Sequence, residues 1–443
     1  MIEKKNFKKK LLSAGLILSL VLSMCACASA DAAQISSKST KTTKLVFSKG
    51  TTKVKPTADD CSNDKIGKTR EPGCPTGWED CAIRFSTELF RRTYAQSGDA
   101  SEKSFVMSPA SVLTAMLMVE EGADGKTAAQ IEDAVGTELL YARENLAEIL
   151  NHKGKSTNVR TANSIWYRDT DKLEVKNDYV LAAQKFFNAD IYKAAFNTKT
   201  AGDINKWCKV KTKNRIKTIV GKNSIKKESM MYLINTLTFD GKWKRKYESN
   251  DVRKADFTTE GGRIQKADMM YDTENLYLEN SNATGFVKPY KGGYSFVALL
   301  PKDGMKMTDF VKTLDGESFA KLLADKKKEP VRTGLPKFKN QCSMNLEESL
   351  KSMGITDLFD QDAADLNAMA SYKDGNLYAS QVKHKTFIET DTEGTRAAAV
   401  TSVEMMYSTS LVEKQVFLNR PFFYAIVDDE TGIPVFIGVV MEL

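Results

Sequence analysis

Apolar positions fall at helical spacing early in the chain and in strand-like runs late. Residues 81–97 (CAIRFSTELFRRTYAQS) set Ile83, Phe85, Leu89, Phe90 and Tyr94 near helical spacing. Ser108-Pro109 opens a second helix, since proline at a first helical position gives up an N–H that has no partner anyway. That helix runs through Leu113, Met116, Leu117 and Met118 and stops at Gly122, and residues 127–135 form a third. Residues 161–168 read as a strand, and 177–186 and 201–220 as helices. Residues 229–239 (SMMYLINTLTF) make a nearly continuous apolar run, the pattern of a strand buried on both faces. Strands then dominate at 256–258, 266–271, 276–278, 284–289, 294–300, 329–338, 381–390, 416–427 and 433–441. Helices at 307–324 and 345–353 interrupt them. Helices early and strands late imply an α+β fold, not an alternating α/β one.

One late stretch does not fit a folded core. Residues 393–411 (EGTRAAAVTSVEMMYSTSL) are small and proline-free, with a bulky patch at Met405-Met406-Tyr407. They read as an exposed loop with the alternation of a strand. Strand side chains change face with period two. The odd positions Thr395, Ala397, Ala399, Thr401, Val403 and Met405 are uncharged, and Arg396 and Glu404 both fall on even ones. Built as a strand, the segment has one small neutral face fit for burial.

The 443 residues, 42% of them hydrophobic, suffice for one large domain or two ordinary ones. The first residues stand apart. Five lysines (4, 5, 8, 9, 10) precede an apolar run at 11–22 that is too short to span a bilayer. This is an export signal. Leu22-Ser-Met-Cys25-Ala-Cys27 resembles a bacterial lipobox, with Cys25 or Cys27 as the lipidated residue. Simple secretion, with cleavage after Ala30, is the other reading. Residues 1–27 are thus a signal peptide with a lipobox, 28–80 a Ser/Thr/Lys-rich tether, and 81–443 the folded domain. The expected location is outside the cell, as a cell-surface lipoprotein or a secreted protein, with membrane contact only through a lipid anchor.

Charge and chemistry narrow the function. Removing residues 1–24 takes away five Lys and one Glu, so +8 becomes +4. No basic stripe interleaved with aromatics suggests a nucleic-acid partner. Runs such as Lys326-Lys327-Lys328 read as solvated surface. Two of Cys61, Cys74 and Cys81 could form a disulfide in an exported protein. A zinc site there is disfavoured by wide spacing and the lack of a nearby histidine. Cys208 and Cys342 read as buried thiols. The chain has only two histidines, His152 and His384, and lacks the G-x-S-x-G, H-E-x-x-H, C-x-x-C and dinucleotide-binding signatures. No metal, cofactor or catalytic set is read, and an enzyme is not expected.

Five stretches, in order, resemble the serpin family. They are FVMSPAS at 105–111 with GADGKTAAQI at 122–131, and MYLINTLTFDGKW at 231–243. LPKFK at 335–339, HKTFIE at 384–389 with Glu393-Gly394-Thr395, and VFLNRPFFYAI at 416–426 complete the set. Thr392 and Ser104 depart from it, at places where Glu and Asn are common. The resemblance implies three β-sheets, eight or nine helices and an exposed reactive loop near the C-terminus. It implies a monomeric suicide inhibitor of serine proteases, and extends to papain-like cysteine proteases. The protease attacks the loop and forms an acyl-enzyme. The cut loop then enters the central sheet as a new strand, and deacylation is lost.

The resemblance also implies roles for residues. Glu393, Gly394, Thr395, Arg396, Ala397, Ala398 and Ala399 are the hinge, which in many non-inhibitory relatives carries charged or bulky residues or proline. Counting fourteen residues past Gly394 puts the cut between Ser408 and Thr409, with Met406, Tyr407 and Ser410 as alternatives. A small-pocket, elastase-like protease would suit Ser408, and a chymotrypsin-like one Tyr407 or Met406. No Arg or Lys lies between Arg396 and Lys414, so trypsin-like targets are not expected. Ser108, Ser111, Asn235 and His384 are a polar cluster beneath the opening sheet, and Trp243 packs where the loop enters. The alternative is a non-inhibitory relative that serves as a surface binding protein.

Overall fold

The structure is a computed structural model describing residues 47–48, 50–54, 77–97, 103–150, 157–395 and 414–443. Cys25, Cys27, Cys61, Cys74, His152 and positions 396–413 lie outside the described residues. Nine α-helices occur among the described residues. They are α1 (Trp78–Gln96), α2 (Pro109–Glu120), α3 (Gly125–Val135), α4 (Leu139–Leu150), α5 (Asn177–Phe187), α6 (Thr198–Lys211), α7 (Met307–Lys312), α8 (Gly316–Ala324) and α9 (Glu347–Ser352).

The strands form three large sheets and a small ribbon. In sheet order, the central sheet runs β1 (Thr52–Lys53), β5 (Asp190–Ala194), β3 (Thr157–Arg168), β6 (Met231–Lys242), β16 (Gly394–Thr395), β15 (Lys383–Thr390) and β13 (Phe338–Asn345). The second holds β2 (Phe105–Met107), β19 (Pro434–Val440), β18 (Phe422–Asp428), β11 (Tyr294–Pro301), β10 (Ala283–Pro289) and β9 (Tyr277–Glu279). The third holds β17 (Lys414–Phe417), β12 (Val331–Pro336), β8 (Ile264–Glu274) and β7 (Val252–Thr258). The ribbon pairs β4 (Leu173–Val175) with β14 (Ala370–Tyr372). This is the expected α+β architecture with its three sheets, and the ribbon is an addition.

The two larger sheets sandwich α2. Nearly every residue of that helix is buried, and its sequence is apolar all round, as a helix packed on every side must be. Ser108 caps it by accepting from the N–H of Ser111, and Pro109 occupies its first position. A second core lies on the other face of the central sheet. There Ile204, Trp207 and Cys208 of α6 and Ile216, Ile219 and Val220 after it cover Trp166, Tyr192 and Ile234. A large apolar side chain buried this fully contributes about 1.5–3 kcal/mol.

Several expected elements are divided. The strand expected at 329–338 is two strands, because the chain leaves the third sheet after Pro336 and joins the central one at Phe338. The one expected at 416–427 likewise changes sheet, between Phe417 and Phe422. The helix expected at 307–324 breaks at Thr313, and Asp315 caps the next one by accepting from the N–H of Ser318 at 2.8 Å. The helix expected at 201–220 ends at Lys211, because Lys213 and Asn214 are left-handed (φ 50° and 66°). Helix α4 was not expected at all.

The expected tether at 28–80 needs correction as well. Within it, β1 pairs with β5, and the Phe47 ring meets those of Trp166 and Tyr192 edge-on at 5.6 and 5.0 Å. Lone threonine and lysine side chains gave no sign of this docking, which rests on backbone pairing and one aromatic anchor. Cys81 is in a disulfide whose partner lies outside the described residues, while Cys208 and Cys342 are free thiols. Cys208 is buried as expected, but Cys342 is only half-buried.

Candidate functional site

The site begins where β15 turns back. Asp391 Oδ1 accepts from the N–H of Glu393 (2.9 Å) and of Gly394 (3.2 Å), closing a tight turn. The chain re-enters the central sheet as β16, between β6 and β15. Gly394 pairs with Lys242, and Thr395 with Gly241 and Thr390. A Cβ on Gly394 would sit 2.0 Å from the carbonyl oxygen of Gly241, so only glycine fits. Thr395 is buried, and its hydroxyl meets that of Tyr290 at 2.5 Å. The first odd position of the expected parity thus faces the interior. Arg396, Ala397, Ala398 and Ala399, with Met406, Tyr407, Ser408, Thr409 and Ser410, lie outside the described residues. The chain resumes at β17, in a different sheet.

An aromatic floor lies under this entry point. Trp243 is buried, stacks on Tyr290 with ring centroids 4.3 Å apart, and donates its indole N–H to the carbonyl of Asp391 at 2.9 Å. The backbone N–H groups of Trp243 and Tyr247 donate to the carbonyls of Glu393 and Thr392, both at 3.0 Å. Thr392 therefore serves the turn through its backbone, which explains why a residue other than Glu is accommodated there.

Below the floor is Lys288, 1% exposed, near the end of the mostly apolar strand β10. Its ammonium reaches Glu274 (2.6 Å) and Asp272 (3.0 Å) and lies over the rings of Tyr247 and Trp243, at 4.2 and 5.5 Å. A charge this deep costs several kcal/mol unless paired, and here two carboxylates and two ring faces pair it. Burial nevertheless pushes the Glu274 carboxyl up, while Lys288 pulls it back. The sequence reading missed Lys288 and Tyr290. A lysine inside the run FVKP was the available signal.

Further down the seam, the structure brings Ser108, Ser111, Asn235 and His384 into one network. The N–H of Ser108 donates to His384 Nε2 at 3.0 Å, and its Oγ donates to the carbonyl of Val435 at 2.7 Å. Ser111 Oγ donates to Asn235 Oδ1. Asn235 Nδ2 donates to Asn163 Oδ1 at 2.5 Å, and Asn163 Nδ2 to the carbonyl of Phe187 at 2.6 Å. His384 is buried, which holds its imidazole down at about 4, so it is neutral and accepts. Asn163 was missed by sequence reading, although it stands directly across from Asn235 in the β3–β6 ladder.

The network ties β15 to β6 through the start of α2. Among the described residues no ladder joins β6 to β15 directly, and β16 stands between them. The arrangement is a sheet whose seam holds the first two residues of an added strand and is bridged below by side chains. Nothing in it resembles a nucleophile with a base. The described residues include no group of acidic, histidine and cysteine side chains that could hold a metal ion.

Comparison with known proteins agrees with this geometry. The family model described as serpin (serine protease inhibitor) matches residues 81–443. Leukocyte elastase inhibitor A of Mus musculus is 29% identical over 371 residues, which covers 80% of this chain and 96% of the relative. The native state of the thermophilic serpin tengpin superposes with a TM-score of 0.77 at 39% identity, covering 85% of this chain and 96% of that one. The latent state of tengpin gives 0.71 at 38% identity, over 82% and 97%. With five ordered motifs, three sheets and a glycine-led strand at the seam, the chain belongs to the serpin family of serine protease inhibitors.

Proposed function

We propose that this serpin is an inhibitor that traps serine proteases covalently by inserting its cut loop into the β6–β15 seam. The observation that carries the reading is Thr395, buried between those strands as the start of an added one. Each further residue entering the seam would make ladder hydrogen bonds and bury alternate side chains. The uncharged odd positions Ala397, Ala399, Thr401 and Val403 would take the inner face without desolvating a charge. That a relative exists in both native and latent states supports a fold with two arrangements of one sequence.

In the reaction, the serine oxygen of the protease attacks the carbonyl of Ser408. The Ser408–Thr409 bond breaks, the new amine of Thr409 leaves protonated, and Ser408 stays esterified. Elastase-like targets suit Ser408, and chymotrypsin-like ones suit a cut after Met406 or Tyr407. A papain-like cysteine protease would form the corresponding thioester. Export, with a lipid on Cys25 or Cys27 or by plain secretion, would put the inhibitor where it meets extracellular proteases.

Mixing the chain with pancreatic elastase, chymotrypsin and subtilisin should give a complex that survives denaturing electrophoresis. A cleaved chain without complex in all three mixtures would favour a binding role over inhibition. Mass spectrometry of the small C-terminal fragment identifies the cut bond.

A further inference from the structure

The charge of this chain is concentrated in one place. Residues 199–227 hold ten Lys and Arg against one acid, Asp203, a net of +9. The whole chain is only +8, so everything else together is close to neutral. These residues are helix α6 and the strap that follows it, lying on the outside of the central sheet.

Partners for these charges are few. Arg215 is used internally: it pairs with Asp240 and donates to the carbonyl of Phe239 at 3.3 Å. Lys211 pairs with Asp190 at 2.8 Å. On the exposed face of α6, Lys199 and Lys209 make no ion pair among the described residues, nor do Lys213, Lys217, Lys222 and Lys226 on the strap. Crowded like charges repel, and the strap holds its place against them through Ile216, Ile219 and Val220, buried on the sheet, and through the N–H groups of Ile219 and Val220, which donate to Asn205 Oδ1 at 2.7 and 3.0 Å.

The strap also crosses the seam. Arg215 fixes its start to the end of β6, and Arg168 of β3 donates to the carbonyls of Lys226 and Ser229 at 3.1 and 3.0 Å. Between these points, the carbonyl of Ser224 accepts from the Tyr232 hydroxyl of β6 at 3.0 Å. Its Oγ accepts from Lys383 of β15 at 3.3 Å. One residue of the strap thus touches both strands that flank the seam.

We propose that α6 and the strap form a binding surface for a linear polyphosphate-type chain, and that its binding holds the strap down across the seam. Lysines outnumber arginines here nine to one. Lysine is a flexible point charge, suited to a flexible anionic chain and not to bidentate recognition of one group. The density of free charge suits a polymer with a charge on every repeat better than a sparsely sulfated one. The large aromatic of α6, Trp207, is buried, so it offers no platform for stacking bases. The ligand gains more from the docked strap than from a lifted one, because only the docked strap sets its lysines beside those of α6. Binding must therefore stabilise the docked position. This step does not depend on the chain being an inhibitor.

The full chain and medium-chain inorganic polyphosphate test the proposal by titration at several salt concentrations. The slope of log Kd against log salt should be about 4, by analogy with single-stranded polyanions contacted by six lysines. The triple variant Lys209→Ser, Lys217→Ser, Lys222→Ser should bind at least about tenfold more weakly and lower the slope by about 2. A control triple at Lys326, Lys327 and Lys328, also to Ser, should bind as the parent does. Polyphosphate should also slow amide hydrogen exchange across 213–229 in the parent and not in the first variant. Equal binding by both triples, or tighter binding of a sulfated polysaccharide, would overturn the assignment of the surface or of its ligand. Binding without slower exchange would overturn the clamp.

Discussion

The central sheet takes on two short strands in two different ways. At its outer edge, β1 pairs with β5 through Thr52 and Lys53. At its seam, β16 pairs with β6 and β15 through Gly394 and Thr395. Both strands are two residues long. At the edge nothing has to move apart, so ordinary residues suffice and the anchoring is done beside the strand. There Phe47 packs on Trp166 and Tyr192, and Asp203 accepts from the Ser48 N–H (3.0 Å) and the Thr51 hydroxyl (2.9 Å). At the seam two strands already stand close, and the entering residues must have the right shape. Gly394 has no Cβ to strike Gly241, and the Thr395 hydroxyl finds Tyr290. Adding a strand at an edge depends on anchors, and adding one inside a sheet depends on the residues of the strand itself.

The largest effect should come from extending β16. Cutting the loop with a protease that the chain does not trap should raise the thermal midpoint by an amount on the order of tens of degrees, as a full strand's hydrogen bonds and apolar burial are added. Differential scanning calorimetry on intact and cut chain reads this directly. An unchanged midpoint would mean that the seam never opens beyond Thr395. Next in size is Thr395→Arg. It would bury an unpaired guanidinium beside Tyr290, at about 3–5 kcal/mol, so β16 should be expelled. The variant should be cut by the target protease without forming complex. Retained trapping would show that the seam tolerates a charge at its first inward position.

Much of the seam was legible in sequence, and the edge was not. Gly394 was legible through the resemblance of Glu393-Gly394-Thr395 to the family's hinge, and the close approach to Gly241 shows why a glycine stands there, while Ser108-Pro109 stood out because a helix start needs a cap. The strand-like face of 395–405 follows from charge parity, although only Thr395 of that face falls among the described residues. What escaped were pairings between distant parts of the chain. Asn163 means little until β3 and β6 are in register, and Lys288 looks misplaced until Asp272 and Glu274 of β8 are set beneath it. The strands at 329–338 and 416–427 ran together because a chain that changes sheets without losing its apolar residues leaves no break in pattern. The docking of 47–54 was hidden because its strand contributes backbone and not apolar side chains.

The network below the seam gives a smaller, pH-dependent effect. Buried His384 has its pKa held at about 4, against about 6.5 for an unfolded chain. Between those values the unfolded chain binds a proton that the native one refuses. The stability this group provides is therefore complete above about 6.5 and declines as pH falls toward 4, by about 3 kcal/mol in all. Protonation would also remove the acceptor for the N–H of Ser108. The thermal midpoint should drop across this window, and His384→Gln should flatten the drop. An equally steep decline in the variant would assign the acid sensitivity to carboxylates elsewhere.

The smallest effect belongs to the edge. Phe47 is half-buried, and its ring meets two aromatic neighbours at their edges. Phe47→Ala should therefore cost only about 1–2 kcal/mol, part of it apolar burial and part ring contact. The loss should be local. β1 is held by a two-residue ladder, the N–H of Val54 bonded to the carbonyl of Ile191, and the Asp203 contacts, so without its anchor it should open without the sheet unfolding. Amide hydrogen exchange should quicken at Lys193 and at Val54, while β6 and β15 keep their protection. If protection at the seam falls as well, edge and seam are not independent. The coupling would then run through the layer both share, because Phe47 packs into the same apolar cluster as Ile219 and Val220 of the strap that crosses from β6 to β15.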